Sequence, residues 1–325
     1  GRYQGVTGDS VVLSGQRTKV CDVVLNKSGG HNLRITLNAI VHVIHNVISR
    51  EAKLRGIQVD DDQNCTDGMW TNVEIGNCGQ YGAYLGTGAQ NLVNLHIWGS
   101  GLESVDNKDG LMLASSANVA VNLQSEKNLG RGIAANAAAV GNIISGKIWG
   151  NVSGALYLLG ASRNIFDLML NKNSVGNTGG STTSSYAAIL VGANSQRNLI
   201  KVNAWDNTGA LSAGSYVTAP TYPYPGKAAG AFSHTFIVYE TAASASENVY
   251  QLMAPKSLTR LGSGVSHITL AGTGSKLTND SVLGLSERPA PSTVGAGYMY
   301  FDTTLNKPIW STGLAWVDSS GATVT

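Results

Sequence analysis

Five carboxylates stand out by type and spacing: Glu74, Glu103, Asp106, Asp109 and Glu126. Three of them fall in or beside the stretch 99–109 (Gly-Ser-Gly-Leu-Glu-Ser-Val-Asp-Asn-Lys-Asp), which reads as a loop. Clustered like charges raise one another's proton affinity, so that one carboxyl can act as an acid while another acts as a base. Cleavage of a glycosidic bond needs such a pair, about 5 Å apart for retention and about 6.5–9.5 Å apart for inversion. Tryptophans supply a matching platform, because indole faces stack on sugar rings while polar neighbours fix the hydroxyls. Trp98, Trp149 and Trp205 close similar segments, with His96 and Lys147 two residues before the first two. We read Glu103, Asp106, Asp109 and Glu126 as the candidate acid–base set, with Glu74 in reserve. Trp98, Trp149, Trp205, His96 and Lys147 are the candidate substrate contacts. The ordinary alternatives are solvated loop charges, and tryptophans that pack against another chain.

An internal repeat must position these residues. A small residue followed by apolar or small ones recurs at Gly56, Gly82, Gly110, Gly132, Gly154 and Ala187, at intervals of 26, 28, 22, 22 and 33 residues. A second segment follows the middle copies, at 91–99, 117–125, 142–150, 164–172 and 198–206, with 71–77 as an earlier copy. Apolar and polar residues alternate within each segment, the signature of a strand with one buried face. Short strands at this period without intervening helices predict an all-β chain, a right-handed parallel β-helix whose coils bury their inner faces by stacking. A leucine-rich repeat is the rival at this period, and its consensus is absent. The long intervals are insertions at turns, 99–109 and 173–185.

Stacking these segments predicts two outward columns with neighbours about 4.8 Å apart. One reads Glu74, His96, Asn122, Lys147, Met169, Asn203. The other reads Gly76, Trp98, Gln124, Trp149, Asn171, Trp205. The repeat weakens after Asp206. A Pro-Tyr-rich stretch follows at 219–225, and then one degraded coil around 236–239 and 248–252. We divide the chain into N-terminal coils (1–50), the β-helix (51–260) and a C-terminal β segment (261–325). In the last, Gly297–Trp310 reads as a hairpin around Thr-Leu-Asn-Lys, with a third strand at Trp316-Val317-Asp318.

The stretch Gly-Tyr-Met-Tyr-Phe-Asp-Thr-Thr-Leu-Asn-Lys-Pro-Ile-Trp, with Trp316-Val317-Asp318 after it, resembles the tail-end motif of bacteriophage tailspike and tail-fibre proteins. The β-helix is similar in architecture to theirs and to pectin-degrading enzymes. The resemblance implies a homotrimer on the virion tail, acting outside the host cell on a bacterial surface polysaccharide, and often cutting it. It implies that an N-terminal virion-anchoring domain is missing, which agrees with our reading of Gly1-Arg2-Tyr3 as the start of a fragment. We expect an endoglycosidase. A lyase on the same scaffold would use His96, Lys147 or Arg131 as base or carboxylate partner. A receptor-binding module that holds the glycan uncut and a free pectin-type enzyme are the other rivals.

The composition narrows the remaining classes. Forty glycines and 27 asparagines make up about a fifth of the 325 residues, and only 13% are charged. That excludes a helical bundle and a disordered chain. A net charge of +2 without a basic run argues against nucleic-acid binding. No apolar run approaches the roughly 18 residues of a membrane span. We expect no cofactor and no metal. Cys21, Cys65 and Cys78 read as buried free thiols, and His42 and His45 lack a third ligand. Asp60-Asp61-Asp62 reads as an acidic turn, with calcium as the alternative. Gly8-Asp9-Ser10 resembles an esterase nucleophile block but lacks the later Asp-x-x-His.

Overall fold

The computed structural model describes residues 1–61, 64–104, 106, 108–173, 187–205, 238–240, 247–253, 258–260, 267–271, 276–277, 291, 296–302, 305 and 307–324. Its strands form two parallel sheets that wind up one axis. The first contains β1 (Arg2–Gln4), β3 (Lys19–Asn26), β5 (Val43–Arg50), β7 (Gly68–Gly76), β9 (Gln90–Trp98) and β11 (Val119–Glu126). It continues with β13 (Ile143–Trp149), β15 (Ile165–Asn171), β17 (Leu199–Trp205), β19 (Val249–Met253) and β21 (His267–Ala271). The second contains β2 (Val11–Leu13), β4 (Leu33–Ile35), β6 (Ile57–Val59), β8 (Ala83–Leu85), β10 (Leu111–Leu113) and β12 (Arg131–Ala135). It continues with β14 (Gly154–Leu158), β16 (Ile189–Val191), β18 (Val238–Glu240), β20 (Leu258–Arg260) and β22 (Lys276–Leu277). Each sheet pairs every strand with the one a coil later, in a parallel β-solenoid. The sheet order runs through residue 50 without a break and continues past residue 260 to Leu277.

The alternation in the sequence explains the interior. In the second sheet, Leu33, Ile57, Ala83, Leu111, Ile133, Leu156 and Ile189 stack in register, and all are fully buried. In the first, Val23, Val47, Val73 and Leu95 do the same. Truncating one such aliphatic side chain to Ala leaves a cavity that costs about 2–5 kcal/mol.

Asparagine does the corresponding work at the turns. Along the buried series Asn118, Asn142, Asn164, Asn198 and Asn248, the first four Nδ2 groups each donate to the next Oδ1, at 2.8, 2.8, 3.0 and 2.9 Å. The backbone N–H of each of those four also donates to that oxygen. Asn128, Asn151 and Asn173 form a second buried ladder. These chains satisfy backbone groups that the stacked turns remove from water.

A third, exposed ladder runs through Asn46, Asn72, Asn94 and Asn122, all at positive φ. These are bulge positions, which asparagine tolerates better than other side chains. The bulge ends at β13, where the register with β11 shifts between Ala120 and Leu123. Gly146 takes up the shift; a Cβ there would lie 2.0 Å from the Leu123 carbonyl oxygen.

Beyond the solenoid, β23 (Ala296–Asp302), β24 (Lys307–Thr312) and β25 (Trp316–Asp318) form an antiparallel sheet. The expected hairpin and third strand are both present. Asp302 Oδ1 accepts the Leu305 N–H at 2.8 Å across the turn, and Lys307 pairs with Asp318 at 2.7 Å. The stretches 174–186 and 219–225 lie outside the described residues. Of the three free cysteines, Cys65 and Cys78 are buried, but Cys21 is exposed, because it points outward from β3 near the end of the solenoid.

Candidate functional site

The register of the first sheet corrects one coil of the expected columns. His96 stands opposite Gln124, not Asn122, and Trp98 stands opposite Glu126, not Gln124. The outward column at the strand ends therefore reads Arg50, Gly76, Trp98, Glu126, Trp149, Asn171, and the backbone register pairs Asn171 with Trp205. Its inner neighbour reads Glu74, His96, Gln124, Lys147, Met169, Asn203. Asn122 belongs instead to the exposed asparagine ladder. β9 and β11 carry the same bulge, so the two-residue displacement between them comes from where the segments start: Asn91 lies one residue after the stacked turn residue Gln90, and Ala117 one residue before its counterpart Asn118. From the buried turn residue to the end of the strand there are eight steps in β9 and β11 (Gln90 to Trp98, Asn118 to Glu126), but seven in β13 (Asn142 to Trp149).

The corrected column places a carboxylate between two indoles. Glu126 is 8% exposed, and its Oε1 lies 3.1 Å from His96 Nε2. Its Oε2 is buried without a hydrogen-bond partner. One coil before Trp98, Gly76 leaves room for the ring; a Cβ there would lie 2.4 Å from an indole carbon. Trp98 Nε1 donates to Glu74 Oε1 at 3.3 Å, and the same oxygen accepts from Arg50 at 3.1 and 2.5 Å. The Arg50 guanidinium also sits 5.8 Å from the Trp98 ring centre, a cation–π contact. Glu74 and Glu126 rise from β7 and β11, two strand steps and two residues apart, which separates their origins by about 12 Å. Both lean toward β9, where Glu74 meets Trp98 and Glu126 meets His96.

Farther along, Trp149 is held differently. Lys127 Nζ lies 4.7 Å and Lys147 Nζ 5.5 Å from its ring centre. Its Nε1 is buried and finds no acceptor, and on the next rung Asn171 Oδ1 finds no donor. Trp205 occupies the rung after Asn171.

The other expected carboxylates lie elsewhere. Asp109 is 6% exposed, and its Oδ1 accepts the Arg131 N–H at 2.6 Å. A Cβ on Gly130 would lie 2.3 Å from that oxygen. Asp9 repeats the arrangement, accepting the His31 N–H at 2.7 Å beside Gly30. Burial pushes the Asp109 pKa up, against the charge and the N–H of Arg131. Glu103 is exposed on a loop that folds back onto the preceding coil, with its N–H donating to the Gly79 carbonyl at 2.9 Å. With Lys27, Glu51, Lys53 and Asn77 it lines a turn groove of about 630 Å³. Asp106 is exposed on the same loop, and its N–H donates to Ser104 Oγ. The structure thus brings together Glu74, His96, Trp98 and Glu126 and continues the column to Trp149 and Lys147. Glu103, Asp106 and Asp109 stand apart from that face.

Arg50 and Lys127 were not placed by the sequence, and Asn171 was placed in the outward column without a role. Their signal was present, since each lies at or directly after the end of a strand in the same repeat.

Other titratable residues are engaged in structure. Asp60 accepts from Arg34 at 3.0 and 3.1 Å, and Tyr84 donates to Asp61 at 2.6 Å. Burial works against the charge on Asp60, but hydrogen bonds from Arg34, Thr36 and Gln58 outweigh it and hold the pKa down. Asp62 lies outside the described residues. His42 is a core residue, contacting the Ala39 carbonyl oxygen through Nδ1 and accepting the Trp70 indole N–H at Nε2. Among the described residues no group of three or more His, Cys, Asp or Glu could hold a metal ion. Nor is any helix there long and apolar enough to cross a membrane.

No family model matches the sequence, and no curated protein does. Among solved structures, the chain is similar to the enzymatically active domain of tailspike protein 2 from bacteriophage CBA120. The TM-score is 0.54 at 11% identity, over 95% of this chain and 50% of that one. The chain spans half the length of that structure. Tailspike protein 3 of the same phage aligns at 13% identity over 100% of this chain and 63% of that one. Its TM-score of 0.21 adds nothing to the assignment. With its stacked parallel sheets, the chain has the parallel β-helix fold of a bacteriophage tailspike domain.

Proposed function

We propose that this chain is part of a phage tailspike that binds and depolymerises a bacterial surface polysaccharide by glycosidic hydrolysis. The observation that carries the reading is Glu126, a buried carboxylate set between Trp98 and Trp149 with one oxygen on His96 and the other unpartnered. A sugar chain stacked along the indoles would pass directly over it.

The residues divide the chemistry by their hydrogen bonds. Glu74 Oε1 already accepts N–H groups from Arg50 and Trp98, which suits the carboxylate that accepts a proton from water. Glu126, with an oxygen that no protein group addresses, suits the group that gives a proton to the leaving oxygen. His96 orients it. Origins two strand steps and two residues apart, with both side chains leaning inward, favour the wider spacing of an inverting mechanism. Bacterial capsule, exopolysaccharide and O-antigen are the substrate classes such a protein would meet, on the virion tail outside the host.

The Glu74→Gln and Glu126→Gln variants test this. Each keeps the shape of its side chain and removes proton transfer, so each should lose about 10²–10⁴-fold in depolymerase rate. Full activity in both would place the chemistry elsewhere, with Glu103 and Asp106 next in line. The small C-terminal sheet fits a trimer, because about 40 residues rarely fold alone without staples. Light scattering should give three chains per particle, and a monomer at micromolar concentration would refute the assembly.

A further inference from the structure

We propose that the turn groove beside the Trp98 end of this face is a subsite for a neutral N-acetylated amino sugar, the residue of the glycan next to the one on the Trp98 ring. It rests on the glycan-binding reading above and specifies the sugar at one position. The groove, about 630 Å³, opens where the strands of that face end. Glu51 and Asn77 directly follow the strand ends Arg50 and Gly76, both at positive φ. Their N–H groups donate to the carbonyls of Gly76 and Trp98, one coil on. Lys27 turns the same corner a coil earlier and donates to the Arg50 carbonyl. One wall is the loop after Trp98. Its N–H groups bond back to the previous turn, Gly101 to the Cys78 and Gln80 carbonyls, Leu102 to Cys78 and Glu103 to Gly79, at 2.9 to 3.1 Å.

These bonds fix the Leu102 backbone, so its side chain stays in the groove although it is 38% exposed. An apolar group held there gains by covering a methyl. The polar side chains around it have spare capacity. Lys27 and Glu51 pair with each other at 3.5 Å. Lys53 and Glu103 are exposed and have no partner among the described residues. Neither has the half-buried Asn77 carboxamide, whose polar atoms remain accessible. It lies over Gly99 at the root of the loop, where a Cβ would come 2.6 Å from its Oδ1. Two cations and two carboxylates line one groove, a balance that selects against net charge on the ligand. An acetamido group answers the rest. It carries an N–H for Glu103 or the Asn77 oxygen, a carbonyl for Lys53 or the Asn77 nitrogen, and a methyl for Leu102. A plain hexose offers only hydroxyls and leaves Leu102 uncovered.

The test uses the full chain with ¹³C-labelled leucine methyl groups, read by NMR. A Leu102→Ile variant assigns the Leu102 signals. The probes are the methyl β-glycosides of N-acetylglucosamine, N-acetylgalactosamine and glucose. At least one N-acetylated probe should move the Leu102 signals, with a dissociation constant about five-fold tighter than that of the glucoside, the worth of about one net hydrogen bond. A Lys53→Ala/Glu103→Ala double variant should erase that preference. Both side chains are exposed, and the remaining leucine signals report that the fold is kept. Equal response to all three probes would overturn the subsite. So would a preference that survives in the double variant, or Leu102 signals that no probe moves. The readout needs neither turnover nor contact with Trp98, so these failures stand apart from failure of the catalytic face, which the Glu74→Gln and Glu126→Gln rates report.

Discussion

Asp109 and Glu126 are buried to nearly the same degree, and both were expected to take part in one acidic cluster. The structure gives them different surroundings. Asp109 sits beneath a turn, bonded to the Arg131 backbone, and Asp9 repeats the same bond to His31 four coils earlier. Glu126 sits on the open face of a sheet between two indoles, bonded to a side chain, with an oxygen left over. A buried carboxylate that recurs in another coil with the same backbone partner is a fastening of the coil. One that occurs once, on an exposed face and incompletely satisfied, is a candidate for chemistry. Burial alone does not separate the two.

The contrast makes a steep prediction. Glu126→Gln should reduce depolymerase rate about 10²–10⁴-fold with little change in melting temperature. Asp109→Asn should leave the rate within a few-fold. Reversed results would exchange their roles. Stability should move the other way. Asp109→Ala leaves the Arg131 N–H unsatisfied under the turn and should cost about 1–3 kcal/mol in urea unfolding. Asp9→Ala should act in the same direction, and Glu126→Gln should not.

The two indoles sharpen the comparison along the face. Trp98→Ala and Trp149→Ala should each weaken glycan binding, by about 1–3 kcal/mol if a ring contact is lost. Only the first also removes a partner of Glu74, so its rate should fall further than its binding. Calorimetry alongside turnover assays separates the two effects. If both variants bind and cleave normally, the indoles are structural.

The smallest effect is in pH dependence. The pKa of Asp109 is raised by burial, so the folded state holds its proton to higher pH than the unfolded chain does. Stability from this group is present below the unfolded pKa and is lost as pH rises through the folded one. Asp60 has the opposite sign, because its pKa is lowered and its contribution is lost as pH falls through the folded value. Asp109→Asn should therefore remove a decline in stability on raising pH through the acid range. Asp60→Asn should remove a decline on lowering it.

Much of the fold was legible. Small-residue starts at Gly82, Gly110 and Gly154 precede or open a strand of the second sheet, Gly132 is the second residue of one, and the alternating segments became β9, β11, β13, β15 and β17. The hairpin around residues 303–306 was legible from its flanking aromatic alternation. The columns were legible except at one coil, because the segment 117–125 starts one residue before the stacked turn residue Asn118 while 91–99 starts one residue after Gln90, and the outward face of a strand carries no mark of where its turn ends. The acidic loop was the least legible part. Its sequence shows three carboxylates, but its backbone bonds to Cys78 and Gly79 carry Glu103 toward the earlier coils, and only the folded turn determines that. Asparagine's abundance was visible, while its three ladders required the register.

The central claim is that this face hydrolyses a glycan. The most direct measurement is mass spectrometry of products after incubating the protein, in H₂¹⁸O, with a panel of bacterial capsules, exopolysaccharides and O-antigens. Hydrolysis predicts oligosaccharides that gain one water, with ¹⁸O at the new reducing end, and none from the Glu126→Gln variant. Products that carry a 4,5-unsaturation and no ¹⁸O would show elimination instead, and polymers bound but uncut across the panel would show a receptor; either result contradicts the account.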